Sequence, residues 1–183
     1  IGEALVRWIA PILSFTAEEV WENLPGEHGE SVFLEQWYKE LESLGENETF
    51  GRAYWQRVMT VRAAVNREME ARRAAGELRG SLDAEVVLYC DQQLMDSLEV
   101  LGEELRFVLI TSAARLAPLA SAPDGAADTD VPGLRLQVIV SGAEKCERCW
   151  HRSEDVGQIE AHPTLCGRCV ENVDGSGEQR RFA

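Results

Sequence analysis

The chain has 183 residues, a net charge of −14 and an apolar fraction of 45%. That length holds one large or two small domains plus a small module, and the composition is ordinary for a globular protein, so disorder throughout is excluded. No secretory leader or apolar run of membrane-spanning length is visible, and so acidic a balance argues at first against a polyanionic partner.

The distribution of charge qualifies that last point. Residues 1–50 carry 2 basic and 11 acidic side chains, whereas residues 51–80 carry seven arginines against three glutamates. Acidity returns in residues 81–143, and residues 144–183 are nearly balanced, with 6 basic and 8 acidic groups. One arginine-rich island in an acidic chain directs a polyanion to that island and keeps it from binding elsewhere. The chain opens Ile1-Gly2-Glu3, without methionine and already in helical pattern, and so reads as a piece of something longer.

Leu5, Trp8, Ile9 and Ile12 recur at i, i+3, i+4, i+7, which predicts a first helix interrupted by Pro11. Thr16-Ala17-Glu18-Glu19 has the form of a capping box, with Phe15 and Val20 as the matching hydrophobic staple. A second helix is therefore expected over 17–24, turning Val20, Trp21 and Leu24 inward and ending at Pro25-Gly26. Glu27–Gly29 reads as loop and Ser31–Tyr38 as an extended, aromatic-tipped excursion. From Glu48 to about Ala75 the pattern predicts the longest helix, with Tyr54, Val58, Val61, Val65 and Met69 in one stripe. Arg52 and Arg67 fall opposite that stripe, Arg57, Arg62 and Arg73 border it, and Arg72 falls in line with it, where the helix would fray or turn. These arginines are either a solvated face or a nucleic-acid contact; charge alone does not separate the two. Gly76 and Gly80 mark the end of the helix. Ala84–Tyr89 reads as a buried strand, Gln92–Leu101 as a helix, Leu105–Ile110 as a strand, Ala122–Gly133 as loop, and Leu134–Ser141 as an alternating, half-buried strand.

Cys146-Glu147-Arg148-Cys149 is answered, after sixteen intervening residues, by Cys166-Gly167-Arg168-Cys169. Paired Cys-x-x-Cys knuckles at that separation fit a structural zinc site, in which four thiolates close a tetrahedron and leave no position for a catalytic water. Two disulfides would need an oxidising compartment, and a redox Cys-x-x-Cys usually comes singly beside a βαβ unit. Iron in a rubredoxin-like cage would use the same ligands. Cys90 stands alone after an apolar run and reads as a buried thiol.

No catalytic constellation emerges. No phosphate-cradling Gly-rich loop precedes a helix, and none of the three histidines, His28, His151 and His162, joins a nucleophile motif. The knuckles do offer a recognition surface: Trp150 follows the first pair, Arg148 and Arg168 sit within the two turns, and Arg152, Arg180 and Arg181 lie nearby. Aromatic faces beside guanidinium groups suit exposed bases and phosphates. Equally, Trp150 could cover the metal site as a miniature core.

Three stretches together resemble one family. Lys145-Cys146-Glu147-Arg148-Cys149-Trp150-His151, Leu165-Cys166-Gly167-Arg168-Cys169-Val170 and Gly177-Glu178-Gln179-Arg180-Arg181-Phe182-Ala183 resemble the carboxyl-terminal zinc segment of bacterial isoleucyl-tRNA synthetases. Pro11 through Trp21 is similar to a signature of the helical anticodon-binding domain of that class, and Val65–Glu70 through Gly80–Ala84 resembles the segment joining it to the terminal module. Valyl and leucyl relatives share the helical domain but are not expected to carry this terminal segment.

The resemblance implies an α+β chain in three parts: a helical-bundle anticodon-binding domain over 1–80, a small α/β module over 81–142 and a zinc module over 143–183. It implies one structural zinc on Cys146, Cys149, Cys166 and Cys169, an isoleucine-accepting tRNA and the upstream catalytic domain of the same chain as partners, no membrane, a monomer and a cytoplasmic location. The His-Ile-Gly-His and Lys-Met-Ser-Lys-Ser signatures of ATP-dependent isoleucine attachment are missing, so this stretch is expected to bind and not to catalyse. Arg52, Arg57, Arg62, Arg67, Arg72 and Arg73 then become phosphate contacts, with Trp150 stacking on an unstacked base. Two other classes compete: the zinc-finger end of a formamidopyrimidine-type DNA glycosylase, and a non-enzymatic zinc-ribbon adaptor that binds protein.

Overall fold

A computed structural model describes residues 1–43 and 49–182. The chain divides into two compact units, Ile1–Gly51 and Arg52–Ala183. It is α+β, with helices, one small mixed sheet and a four-cysteine cluster.

In the first unit α1 (Gly2–Ile9) and α2 (Ser14–Glu22) are joined by a single turn. Ala4 and Val6 turn inward from α1, followed by Ala10, whereas Leu5 and Trp8 lie on its exposed side and Ile12, beyond the helix end, is 80% exposed. Trp21 is the centre of this core, packed with Val6, Ala10, Ala17 and Val32. Its indole N–H donates to the Gly29 carbonyl at 2.8 Å, which satisfies the one polar atom such burial would strand. The expected capping box at Thr16 does not form. The Ala17 N–H already bonds to the Leu13 carbonyl at 2.8 Å, so Thr16 lies inside the first turn and Phe15, the supposed staple, is 94% exposed. It is Glu18 that works across the sequence, accepting from Ser31 Oγ at 3.0 Å and the Val32 N–H at 3.1 Å. That clamp sets a 3₁₀ turn at Val32–Leu34 within the stretch expected to be extended.

The second unit begins with α3 (Arg52–Ala74); the expected start at Glu48 lies outside the described residues. Val58, Val61, Val65 and Met69 are buried as the stripe predicts, and Ala64 joins them. Each buried aliphatic side chain contributes about 1.5–3 kcal/mol. The helix does not fray at Arg72, whose guanidinium is held by Glu68 and Glu77, both at 2.9 Å. It ends in a Schellman motif: Gly76 takes φ +77°, and the Glu77 N–H reaches the Arg72 carbonyl at 3.0 Å.

A four-stranded sheet follows in the order β2-β1-β4-β3. β1 (Ala84–Cys90) is parallel to β2 (Ala113–Pro118) and antiparallel to β4 (Leu134–Val140), which pairs with the two-residue β3 (Ala127–Asp128) inside the expected loop. α4 (Gln92–Glu99) is capped by Asp91, whose carboxylate accepts from the Leu94 N–H at 2.8 Å. The segment expected as a strand at Leu105–Ile110 is α5 (Leu105–Leu109). Leu105, Val108 and Leu109 are buried, an i, i+3, i+4 set that only a helix turns to one side. Ile110 ends it with φ +58° and the same Schellman bonding that Gly76 supports. One core, running from Val58 on α3 through Leu88 on β1 to Leu136 on β4, binds these elements together. The last helix, α6 (Gly167–Asp174), belongs to the cysteine module. Among the described residues no helix is long and apolar enough to cross a membrane.

Candidate metal centre and nucleic-acid interface

The first cysteine pair lies in a hairpin-like turn. Lys145 and Arg152 form an antiparallel bridge, and the Cys146 N–H bonds to the His151 carbonyl at 2.9 Å. To close the turn the Trp150 N–H donates to the Cys146 carbonyl at 2.9 Å, which forces Trp150 to φ +67°. A bulky residue in the left-handed region is rare and costs of order 1 kcal/mol or more. The second pair opens α6, with Cys166 as its N-cap and Cys169 in its first turn, where the positive end of the helix favours thiolates.

Together the four sulfurs lie within 4.8 Å of one another, and Cys149 Sγ and Cys166 Sγ are 3.7 Å apart. A zinc–sulfur tetrahedron with bonds of ~2.3 Å has edges of about 3.8 Å, so the residues present fit the ion. Val156 and Leu165 pack against the cluster. The surroundings also suit a doubly negative tetrathiolate centre: Arg148 Nη1 is 3.6 Å from Cys169 Sγ, and the Cys166 N–H points at Cys146 Sγ at 3.4 Å. Burial opposes ionisation of Cys146, yet the N–H groups of Cys149, Cys166 and Arg148 outweigh it and bring the thiol down to about 6. Burial pushes Cys166 up to about 12 and raises Cys169, protons that a metal ion would displace. Cys90, by contrast, is a buried core thiol pushed up to about 12 by burial and by Asp91.

Arg152 fastens this module to the sheet. Its Nε donates to Asp83 Oδ1 at 2.7 Å, its Nη1 to the Ala143 carbonyl at 3.0 Å and its backbone N–H to Ser112 Oγ at 2.7 Å. The Arg152 bond holds the Asp83 carboxyl below the usual carboxylate range.

The other arginines singled out above are not equivalent. Arg67 is bonded to Asp130, Arg72 to Glu68 and Glu77, and Arg73 to Glu70 at 2.5 Å. Arg168 and Arg180 share Glu178, at 3.0 and 2.7 Å. The Arg181 guanidinium lies 5.0 Å from the Phe182 ring, and its backbone N–H donates to Glu104 at 2.7 Å. Among the described residues Arg52, Arg57 and Arg62 of α3 have no carboxylate within ion-pair distance, and Arg148 bonds only to sulfur. Trp150 does not cover the metal cluster: it is 61% exposed, with the Lys145 ammonium 5.2 Å from its ring centroid. Trp150 and Ile110, both in left-handed conformations, line one groove together with Ser81 and Leu82.

Four residues of this surface escape a reading of the sequence. Phe107, on α5, carries Arg106, Arg168 and Arg180 around its ring at 4.8, 5.0 and 4.2 Å. Glu178 is a shared acceptor and Lys145 a partner of Trp150; both lie in stretches that carry the family resemblance, but nothing local marks these contacts. Only Arg106-Phe107 stands out in the sequence, as an adjacent cation and aromatic, and the strand expected there would have set them on opposite faces.

Residues 1–88 match the family model described as the anticodon-binding domain of tRNA ligase. Residues 143–172 match the one described as the zinc finger found in FPG and IleRS. That second match, with the sulfur geometry, makes the cluster the site of one structural zinc ion. Over all 183 residues the chain is 61% identical to an isoleucine–tRNA ligase of Pseudomonas paraeruginosa, 58% to one of Azotobacter vinelandii and 55% to one of Nitrosococcus oceani. It spans about a fifth of the length of these relatives, 19% of the first two and 20% of the third.

Proposed function

Because the chain belongs to the isoleucine–tRNA ligase family, we propose that it is the tRNA-holding part of such a ligase. In this reading it grips the anticodon stem-loop of an isoleucine-accepting tRNA while a catalytic domain of the same polypeptide attaches isoleucine with ATP. The observation that carries the reading is the succession, in one chain, of a match to an anticodon-binding domain and a zinc module. The glycosylase alternative shares only the zinc finger and does not account for residues 1–88.

Division of labour follows from the charges. Arg52, Arg57, Arg62 and Arg148, with no acid partner among the described residues, supply phosphate contacts that position the RNA without reading its sequence. Arg67, Arg72, Arg73 and Arg152 serve mainly to hold the protein together. Trp150, exposed beside Lys145 and Ile110, offers a platform for an unstacked base, and its strained backbone is what aims it outward. Zinc contributes the folding energy that a module so poor in apolar burial lacks, with all four ligands supplied by protein. The chain supplies binding and no chemistry, acting in the cytoplasm as part of a monomeric enzyme.

The test is a titration with isoleucine-accepting and non-cognate tRNA at two salt concentrations, with and without a zinc chelator. The expected result is tighter, salt-sensitive binding of the cognate RNA, weakened by chelation and by Trp150→Ala (about 1–3 kcal/mol for one stacked base). No binding by the folded, zinc-loaded chain at low salt would overturn the reading and favour a protein-binding adaptor.

A further inference from the structure

The surroundings of Phe107 carry one inference more. Three guanidinium groups converge on this ring: Arg106 from α5 itself, Arg168 from α6 and Arg180 from the carboxyl-terminal segment. Cations packed face-on against a ring keep their N–H edges free to bond an anion in the same plane. Here a carboxylate of the chain already does so. Glu178 Oε1 accepts from Arg168 Nη1 at 3.0 Å, Arg180 Nη2 at 2.7 Å and Asn172 Nδ2 at 3.0 Å. Three donors on one oxygen, two of them charged, is the coordination that arginine clusters give to phosphate oxygens.

The segment bearing Glu178 is held at a few defined points. Glu178 N–H donates to Asn172 Oδ1 at 3.1 Å, and the Glu104 carboxylate takes the backbone N–H groups of Arg181 and Phe182 at 2.7 and 2.5 Å. Phe182 then meets the edge of Trp55 on α3, with ring centroids 6.4 Å apart. Just before these anchors Gly177 takes φ +88°, a left-handed joint that lets the segment turn back onto α6.

We propose that the arginine cluster around Phe107 is a binding site for a backbone phosphate of RNA, occupied within the free chain by the Glu178 carboxylate. On binding, the phosphate takes the place of Glu178 between Arg168 and Arg180, and the carboxylate moves out to solvent. The site thus extends the RNA surface beyond the uncommitted arginines of α3. In the absence of RNA it also keeps Arg168 and Arg180 from attracting other polyanions. This inference rests on the proposal that the chain binds tRNA.

The experiment compares the 183-residue chain with Glu178→Gln and Glu171→Gln in titrations with an isoleucine-accepting tRNA transcript from 50 to 200 mM salt. Zinc content and circular dichroism are recorded for each protein. Glu171 lies on α6, as Arg168 does, but accepts from the Ser176 N–H and Oγ, so its substitution removes one negative charge without touching the cluster. With Glu178→Gln, affinity is expected to rise about three- to fivefold, the scale of one part-exposed ion pair. The slope of log K against log salt should steepen by about 0.7–0.9, one phosphate contact. Glu171→Gln should leave the slope unchanged.

Weaker binding by a folded, zinc-loaded Glu178→Gln protein would show that Glu178 only organises the arginines, and would overturn the proposal. Equal gains from both substitutions would reduce the effect to net charge and overturn it too. Failure of every protein to bind tRNA would overturn both this site and the RNA reading. Binding by the unsubstituted chain that Glu178→Gln leaves unchanged would overturn the site alone.

Discussion

Replacing Arg152 with methionine would test how the zinc module is tied to the sheet. Methionine keeps most of the side-chain volume and removes the guanidinium, so the loss is electrostatic. Two bonds disappear, one to the Asp83 carboxylate at 2.7 Å and one to the Ala143 carbonyl at 3.0 Å. The ion pair is only 29% and 23% exposed on its two sides. A hydrogen bond between charged groups is worth about 1.5–3 kcal/mol and a neutral acceptor adds ~1, while relief from desolvating the arginine returns part of the sum. The net expectation is a loss of about 2–3 kcal/mol, or a fall in melting temperature of roughly 6–12 °C for a unit of this size. Thermal unfolding of the zinc-loaded chain at neutral pH reads this directly. A double-mutant cycle with Asp83→Asn isolates the pair, and its coupling energy should exceed about 1 kcal/mol. A coupling near zero, or a chain that keeps its stability but loses affinity for RNA, would refute the assignment of Arg152 to structure.

Removing zinc with a chelator should unfold residues 143–183 while β1, β2 and β4 keep their far-ultraviolet signal, and elemental analysis should return one ion per chain. Cys169→Ser should show the same loss. Ile110→Gly should be neutral or stabilising by up to about 1 kcal/mol in urea unfolding, because φ +58° suits glycine and the side chain is 46% exposed. Were residues 105–110 a strand, the same change would destabilise. Acid should weaken the carboxyl-terminal segment in a defined window. Donation from Arg180 and Asn172 and the charge of Arg168 bring the Glu178 carboxyl down to about 2 despite burial. Its stabilising effect is thus fully present above its unfolded value of about 4.3 and is lost as pH falls from there through about 2. Hydrogen exchange at the Arg181 and Phe182 amides should accelerate in that range in the unsubstituted chain, and less so in Glu178→Gln.

Much of the fold is legible in the sequence where a local rule and the tertiary structure agree. The Val58–Met69 stripe and the alternation of Leu134, Leu136 and Val138 report burial faithfully, because each element presents one face to a single core. The cysteine spacing does the same for the metal centre, since a chelate is defined by its own residues. Misreadings arise where short apolar runs are ambiguous. Leu105–Ile110 carries an i, i+3, i+4 pattern hidden in an almost continuous apolar run. β2 has the opposite difficulty: Ala113, Ala114 and Ala117 offer no strand propensity, and the strand exists because β1 offers an edge to pair with. The Thr16 box obeys every sequence rule for a cap, yet the helix starts three residues earlier than that cap implies. Least legible is the division of the arginines into committed and uncommitted. Arg152 and Asp83 are 69 positions apart, and Arg67 and Asp130 are 63 apart. No window along the sequence contains such pairs.

The two-residue length of β3 bears on how the protein behaves when crowded. A sheet four strands wide leaves two open borders, each a template on which a neighbouring chain could add a strand. Here one border is β3, too short to template more than a single pair of bonds, ending on Asp128 and followed closely by Asp130. The other is β2, which carries the charge of Arg115 outward and closes on Pro118, a residue with no N–H to offer. Both borders therefore discourage intermolecular β-sheet growth, and a chain emerging among many copies of itself is protected from aggregation by the same strands that complete its sheet.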